Sequence, residues 1–261
     1  VWAAATLGIT YVPIDYSLPI ERKKAILASI EAEVVIFENE QDYLLLENSH
    51  MTLIVYVTLN EIYTKAKVGD QKNKSQIFNS FTNIMRYSHS FSEEEYKKSP
   101  LYYIHTSGST GMPKAAGVSY ASFDSLLTWY CELLSQFDDP VMLLASHFSF
   151  DLTQKNIFSS VFLGIKCVIP ETHPFDVYEL IALISKHQVS IVNLSPSIFY
   201  AILDCAEKES LFSSLESLEG IILGGEPIHP ARFMPWLQWK KNHQIPVNVR
   251  LFNSYGPTEC T

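Results

Sequence analysis

The sequence predicts an α/β protein built from layered, mostly parallel sheets flanked by helices. Short apolar runs that are typical of buried strands, such as VVIFE, LIVYVTL and EGIILG, alternate along the chain with segments of helical periodicity. In the second half, several strands run into turns rich in small or polar residues, as in SIVNLSPS and EGIILGGEP. Ligands of α/β sheets bind beyond the carboxyl ends of the strands, so we expect these turns to form a binding site.

The first half contains two further helices and one further strand. The Ala-rich segment VWAAATLGI predicts a helix that ends at Gly8, and TYVPID predicts a short buried strand. The segment IERKKAILASIEAE has its apolar residues on one side and its charges on the other, as an amphipathic helix does. Residues from about 60 to 98 are polar and charged, which predicts an exposed connection. We therefore divide the chain into a first region, 1–95, and a second region, 96–261.

In the second region, strands and helices alternate without a long gap. Helices are predicted for SYASFDSLLTWYCELLSQF, NIFSSVFLG (closed by Gly164), DVYELIALISKHQ and SPSIFYAILDCAEK, and strands for VMLLAS, KCVIP, SIVNL, EGIILG and VRLFNS. We expect the turns after these strands to bring Asp151, Asn193, Gly224–Glu226 and Asn253–Glu259 towards one crevice, together with the loop Thr106–Lys114.

Composition excludes several classes of function. The chain has 261 residues, of which 47% are hydrophobic and 18% charged, which favours a soluble globular protein. A formal charge of -9 argues against nucleic acid or an anionic membrane as a partner. No apolar run has transmembrane length, and no signal peptide opens the chain. The four cysteines, Cys131, Cys167, Cys205 and Cys260, are too widely spaced for a zinc knuckle or a disulfide framework, so a reducing cytoplasm is the expected location.

The loop from Thr106 to Lys114, TSGSTGMPK, has the composition of a phosphate-binding loop. Glycines and short hydroxyl side chains let backbone N–H groups approach phosphate oxygens, and the lysine adds a positive charge. Pro113 and Ala115 stand where a Walker A loop has Gly and Ser or Thr, so the loop is not of that type. The alternative is a flexible linker, but linkers rarely follow a buried strand such as LYYI and rarely end in Pro-Lys.

Two other segments carry residues suited to binding. Asp151 follows a strand and lies beside Phe148 and Phe150, so its partly desolvated carboxylate needs a cation or hydrogen-bond donors; alternatively it is the N-cap of the next helix. The turn NSYGPTE contains Tyr255, Thr258 and Glu259, which suit base stacking, phosphate binding and Mg²⁺ coordination. The alternative for that turn is an ordinary surface β-turn.

Taken in order, the TSGSTG loop, FSFD, ILGGE and NSYGPTE resemble the motifs of the adenylate-forming enzyme superfamily. The chain is most similar to amino-acid adenylation domains of non-ribosomal peptide synthetases, and TYVPIDYSLPIER resembles an upstream motif of that family. Departures are Ala115 and Tyr120, where the family usually has Gly and His. The ribose-binding Asp and the catalytic Lys have no match, so the resemblance implies the central part of a large N-terminal domain, incomplete at both ends, without the small C-terminal domain. We expect little or no activity from these residues alone.

The resemblance implies ATP-dependent activation of an amino acid as an aminoacyl-adenylate, with Mg²⁺. It also implies transfer to phosphopantetheine on a carrier protein, so the carrier and neighbouring synthetase domains are the expected partners. Residues assigned to ATP are Thr106, Ser107, Gly108, Ser109, Thr110, Gly111, Lys114, Gly225, Glu226, Asn253, Tyr255, Gly256 and Thr258. Thr106, Lys114, Thr258 and Glu259 are the implied catalytic residues, with Glu259 also the metal ligand. Asp151 is the implied anchor for the substrate's amino group.

The same resemblance implies a pocket for the substrate side chain. Its residues are Leu152, Lys155, Asn193, Ile222, Gly224 and Ser254. Lys155 either pairs with an acidic or strongly polar substrate side chain or extends its ammonium into solvent. The remaining pocket positions lie beyond Thr261, so the amino acid itself cannot be identified.

Other functions stay open at this stage. They are an acyl- or aryl-CoA ligase, a stand-alone amino acid–carrier protein ligase, an inactive nucleotide-binding module, and an unrelated P-loop NTPase. Asp151 favours an amino acid over a fatty or aryl acid, because only an amino acid brings an ammonium group to pair with it. Thr258 and Glu259 argue against an inactive module, and Pro113 and Ala115 argue against the NTPase.

Overall fold

The α/β fold is confirmed in a computed structural model of the chain. The structure describes residues 1–30, 34–37, 53–57, 62–65, 92–106, 114–171, 175–246, 248–256 and 258. They form two compact units, 1–120 and 121–261. The sequence-based boundary near residue 95 stays a prediction. No helix in the described part of the chain has the length and apolar character needed to cross a membrane.

The first unit carries short helices and two small sheets. Its helices are α1 (Trp2–Thr6), α2 (Ile20–Ser29) and α3 (Glu93–Lys98), and its strands are β1 (Val34–Phe37), β2 (Leu53–Val57), β3 (Ile62–Lys65), β4 (Pro100–Thr106) and β5 (Lys114–Ser119). Strand β2 pairs in parallel with β1 and antiparallel with β3, and β4 pairs antiparallel with β5. Strands β3 and β5 were not predicted, and β3 lies within the expected connection.

Two further predictions for this unit are corrected. The segment TYVPID is not a strand, because only Tyr11 pairs, as an isolated bridge to Tyr102. Pro13 lacks the N–H that would continue the pairing. The charged side chains of SEEEYKKS are exposed as expected, but the run forms a helix. Ser92 and Glu95 form a capping box that begins it, since each side chain accepts a backbone N–H of the other residue.

The second unit is a parallel five-stranded sheet with helices on both faces. Its helices are α4 (Tyr120–Leu134), α5 (Asp151–Leu163), α6 (Val177–His187), α7 (Pro196–Lys208) and α8 (Met234–Asn242), with 3₁₀ turns at Phe212–Leu215 and Pro230–Phe233. Its strands are β6 (Val141–Leu143), β7 (Lys166–Val168), β8 (Ile191–Leu194), β9 (Gly220–Gly224) and β10 (Arg250–Ser254), in the order β10-β9-β8-β6-β7. Gly164 ends α5 in the left-handed conformation, as predicted, whereas α8 was not predicted.

Alternation along the central strands divides the core between the two faces of this sheet. On one face, Val192, Leu194, Ile221 and Leu223 pack with apolar side chains of α6, α7 and α8, including the fully buried Trp236. On the other face, Ile191 and Ile222 pack against α4. Because side chains on a strand alternate between faces, Asn193 and Gly224 belong to the α4 face. This face holds the candidate site.

Candidate active site

The carboxyl ends of three neighbouring strands bring several predicted site residues together. Strand β9 lies between β8 and β10, with Asn193 in register with Ile222, and Gly224 in register with Ser254. The carboxyl ends of these three strands therefore lie at one edge of the sheet, and the expected convergence of all the turns on one crevice stays a prediction.

Gly224 lies where neighbouring residues leave no space for a side chain. A Cβ atom added there would lie 2.8 Å from the backbone oxygen of Ser254 and 3.3 Å from Cδ2 of Leu152. Leu152 is in the first turn of α5, so this helix approaches the ends of β9 and β10 closely. Three predicted pocket residues, Leu152, Gly224 and Ser254, are thus in mutual proximity.

We expect Gly224→Ala to damage both stability and function. The added methyl group meets a backbone carbonyl that is fixed by the sheet, and overpacking of this kind costs about 1–3 kcal/mol. Urea unfolding measures the loss of stability, and ATP–pyrophosphate exchange per folded molecule measures function. Gly220→Ala, at the other end of β9, is the matched control, because its Cβ meets side chains and no backbone atom: the Phe137 ring at 2.7 Å and Cγ1 of Ile191 at 3.3 Å. Equal exchange activity in both variants would contradict a role for Gly224 in the site.

The turn after β9 is tied to the start of α7. Gly225 has a φ of +85°, a conformation that favours glycine. The Glu226 carboxylate accepts hydrogen bonds from the Ser197 backbone N–H (3.0 Å) and the Ser197 hydroxyl (2.9 Å). Ser197 lies in the first turn of α7, where the helix dipole favours a negative charge. The sequence did not single out Ser197; its position after Ser195-Pro196 indicates only a helix start.

Asp151 neither directly follows a strand nor forms the N-cap of the next helix, the two positions considered from the sequence. It is the first residue of α5, whose N-cap is Phe150, and it does not lie at the end of β6. One carboxylate oxygen accepts the Leu152 N–H (2.7 Å), and the other accepts the Thr258 hydroxyl (2.9 Å). Phe148 and Phe150 are 41% and 58% exposed. Contrary to the expectation, these two rings therefore do not bury the carboxylate. The structure therefore joins Asp151, the predicted amino-group anchor, to Thr258, a predicted phosphate ligand.

Lys155 is buried, so the alternative that its ammonium extends into solvent is wrong. The residue is 4% exposed, and its Nζ lies 5.4 Å from the centroid of the Tyr130 ring. Burial lowers the pKa of the Lys155 ammonium from 10.5 to about 8, although the Asp151 carboxylate acts in the opposite direction. The Lys155 ammonium therefore lies inside the protein, near the Tyr130 ring, rather than at the surface.

A polar network lies beside Lys155 within this face of the sheet. The Tyr130 hydroxyl donates to Asn156 Oδ1 (2.7 Å), and Asn193 Nδ2 donates to the same oxygen (2.9 Å). Tyr130, Asn156 and Asn193 are fully buried. Tyr130 and Asn156 were missed, although a polar residue inside the core-facing part of α5 is an unusual feature that draws attention to Asn156.

Several of the residues assigned to ATP leave room for a planar group. Asn253 is exposed, and the Tyr255 side chain is 96% exposed, so its ring is available for stacking. At Gly225 and Gly256, the space where a Cβ would lie contains no atom within 4 Å. An open backbone beside an exposed aromatic ring is suited to binding a nucleotide base.

The remaining predicted residues belong to the other unit or lie outside the described residues. Thr106 and Lys114 end β4 and begin β5, and they are directly paired, with the Thr106 hydroxyl 3.5 Å from the Lys114 carbonyl oxygen. Their convergence with the second unit stays a prediction. The predicted residues outside the described ranges are Ser107, Gly108, Ser109, Thr110, Gly111 and Glu259.

Comparison with known proteins identifies the family. All 261 residues match the family described as AMP-binding enzyme. The chain belongs to this family. Gramicidin S synthase 2 of Brevibacillus brevis is 29% identical over 253 residues, which are 97% of this chain and 5% of that protein. Nonribosomal peptide synthetase opaA of Aspergillus ustus is 29% identical over 99% of this chain and 6% of its own length. The chain thus spans a small part of these relatives.

A solved structure shares the fold of the chain. The N-terminal domain of FACL13 from Mycobacterium tuberculosis superposes with a TM-score of 0.71 at 19% identity, covering 99% of this chain and 59% of that chain. The chain therefore shares the fold of that structure in addition to the family match.

Proposed function

We propose that the protein containing this chain activates an amino acid with ATP, as the adenylation step of a nonribosomal peptide synthetase. The observation that supports this best is the position of the Asp151 carboxylate. It lies at the start of α5, beside the predicted pocket residue Leu152, and is hydrogen-bonded to Thr258. Nonribosomal synthetases are also among its relatives.

In the proposed reaction, an oxygen of the amino acid's carboxylate forms a bond to the α-phosphorus of ATP. The bond from that phosphorus to the bridging oxygen breaks, and pyrophosphate leaves with the electron pair. Thr258 donates its hydroxyl to the α-phosphate, and the loop Thr106–Lys114 holds the outer phosphates. Tyr255 stacks on adenine. These groups position the reactants and neutralise charge, which is most of the catalysis needed for attack at phosphorus. Mg²⁺, when bound through Glu259, adds positive charge at the phosphates.

Asp151 binds the substrate's α-ammonium in this proposal. Its two oxygens have only one partner each in the described residues, a backbone N–H and a hydroxyl. A carboxylate oxygen has room for a second hydrogen bond, and a charge-assisted bond to an ammonium is stronger than a bond to a hydroxyl. The substrate ammonium therefore replaces Thr258 at this oxygen, which leaves the Thr258 hydroxyl able to donate to the α-phosphate.

The second proposed step transfers the activated acyl group to a carrier protein. The thiolate of the carrier's phosphopantetheine forms a bond to the acyl carbon, and AMP leaves. The carrier and the neighbouring synthetase domains are the proposed partners, and the cytoplasm is the proposed location.

A second candidate is a CoA ligase for an aryl or fatty acid. It is favoured by the structural likeness to o-succinylbenzoate CoA synthetase from Bacillus subtilis, which has a TM-score of 0.66 at 18% identity over 99% of this chain and 46% of that chain. Such an acid brings no ammonium to Asp151, so a carboxylate at that position favours the amino acid.

ATP–pyrophosphate exchange tests the proposal directly. The longest polypeptide that contains this chain should be assayed with a panel of amino acids, aryl acids and fatty acids. We expect exchange that depends on an amino acid, since Asp151 supplies the counter-ion for its ammonium. Exchange supported only by acids without an amino group would contradict the proposal and favour the CoA ligase. Exchange with none of the acids would favour an inactive module.

A further inference from the structure

Lys155 is a buried cation without a matching anion in the described residues. It forms no ion pair with a described carboxylate, and its nearest described electrostatic partner, Asp151, is the proposed site of the substrate ammonium. The Tyr130 ring offers a weak cation–π contact at 5.4 Å. Since an isolated buried charge is unfavourable, Lys155 needs a further anionic partner when the site is filled.

Two amide atoms in the polar network around Tyr130, the ring nearest to the Lys155 ammonium, also have unmet hydrogen-bonding capacity. Asn156 Nδ2 and Asn193 Oδ1 are buried and have no hydrogen-bond partner. Their other amide atoms are engaged with each other, and Asn156 also accepts from the Tyr130 hydroxyl. Buried polar atoms in native proteins nearly always have partners, so this cluster has the character of a binding site rather than of a sealed core.

The spacing along α5 relates the cluster to the proposed ammonium site. Asp151 and Lys155 are four residues apart, so they lie on the same side of the helix about 6 Å from each other. Leu152 and Gly224 lie at the edge of the sheet near Asp151. Lys155 is buried one helical turn further along α5, and Asn193 is buried in β8. A short side chain extending from an α-carbon near Asp151 would reach the Lys155 ammonium.

We propose that the amino acid activated at this site has a side chain that ends in a carboxylate, bound by Lys155 with Asn156 as a second donor. The proposal rests on the function proposed above and adds the chemistry of the substrate. The carboxylate would place two oxygens against the ammonium and the free amide N–H, which are the donors that lack partners. The substrate would then meet Asp151 with its cation and Lys155 with its anion, so that the half-buried carboxylate and the buried ammonium each have an opposite partner.

The test compares acidic amino acids with their amides. ATP–pyrophosphate exchange is measured for aspartate, glutamate, asparagine, glutamine, leucine and phenylalanine in the longest polypeptide containing the chain, with wild type and Lys155→Met. We expect wild type to prefer an acidic amino acid, and Lys155→Met to lower kcat/KM for it by about 30-fold or more. The amide should change only a few-fold, because it brings no charge to Lys155. Lys155→Arg should recover part of the loss, and Lys241→Met, on the exposed surface of α8, should leave exchange unchanged.

Outcomes separate this inference from the proposed function. Exchange with an apolar or amide amino acid as the preferred substrate would overturn the inference while leaving amino-acid activation intact. Equal losses for acidic and amide substrates in Lys155→Met would assign the lysine a structural role and also overturn it. Absence of exchange with every amino acid would instead contradict the proposed function itself. Because the expected stability of Lys155→Met is higher than that of wild type, a folding failure is not expected; a thermal unfolding scan of each variant checks this.

Discussion

Asp151→Asn will lower amino-acid-dependent exchange by at least about 100-fold, the loss expected when one partner of a desolvated charge pair becomes neutral. Asparagine keeps the size of the side chain, its carbonyl can still accept the Leu152 N–H, and its amide can still contact Thr258. The local structure should therefore persist while the counter-ion for the ammonium is lost. ATP binding, measured separately by calorimetry, should change little.

An analogue of the amino acid that lacks the amino group is the internal control for this variant. Wild type should strongly prefer the amino acid to its analogue without the amino group, and Asp151→Asn should remove that preference. Asp176→Asn is the matched control, because Asp176 also accepts a backbone N–H (from Tyr178, 2.8 Å) at the start of a helix, α6. If Asp151→Asn reduced exchange equally for both acids, the carboxylate would have a structural rather than an ammonium-binding role.

Lys155→Met will increase the free energy of unfolding of the ligand-free protein by about 3 kcal/mol at neutral pH, since the lysine pKa falls from 10.5 to about 8 on folding. Below pH 8 the folded protein holds the charged ammonium against the full cost of burial. As pH rises from 8 to 10.5, the unfolded state binds a proton that the folded state does not, so wild type gains stability over this range. Methionine fills the same apolar space without the charge.

Urea unfolding of both proteins at a series of pH values measures this difference. The two stabilities should converge as pH approaches 10.5, whereas Lys241→Met should show no such pH-dependent difference, because Lys241 is exposed. A variant less stable than wild type would show that the ammonium makes favourable contacts in the folded protein that outweigh its burial. Combined with the expected loss of activity, a gain in stability would mean that Lys155 is retained for binding and not for folding.

The strong patterns in the sequence predict the central sheet well. Strands β8 and β9 consist of IVNL and GIILG, whose residues are all buried, and such apolar runs are the clearest indication of strands in a parallel sheet. Weak patterns were missed: β5 is KAAGVS, with few β-branched residues, and α8 contains Pro235 and several polar residues. In both, pairing or packing with distant parts of the chain decides the structure.

The candidate site was predicted by residue but not by geometry. Motifs indicated Asp151, Lys155 and Thr258, but not that Asp151 and Thr258 share a hydrogen bond across 107 positions of sequence. Helical periodicity fixes which residues share a side of α5, yet it does not say what covers that side. The burial of Lys155 against Tyr130 depends on how α4 and α5 pack on the sheet, which is tertiary information.

The contact between Glu226 and Ser197 has a consequence for how a nucleotide is recognised. Both carboxylate oxygens are already engaged by the first turn of α7, so the turn at Gly225 is fixed before any ligand arrives. A free loop would lose conformational entropy when a nucleotide binds. This turn loses that entropy when the protein folds, so nucleotide binding is more favourable. We therefore expect a base that binds beside this turn to meet backbone groups that are held in place before binding.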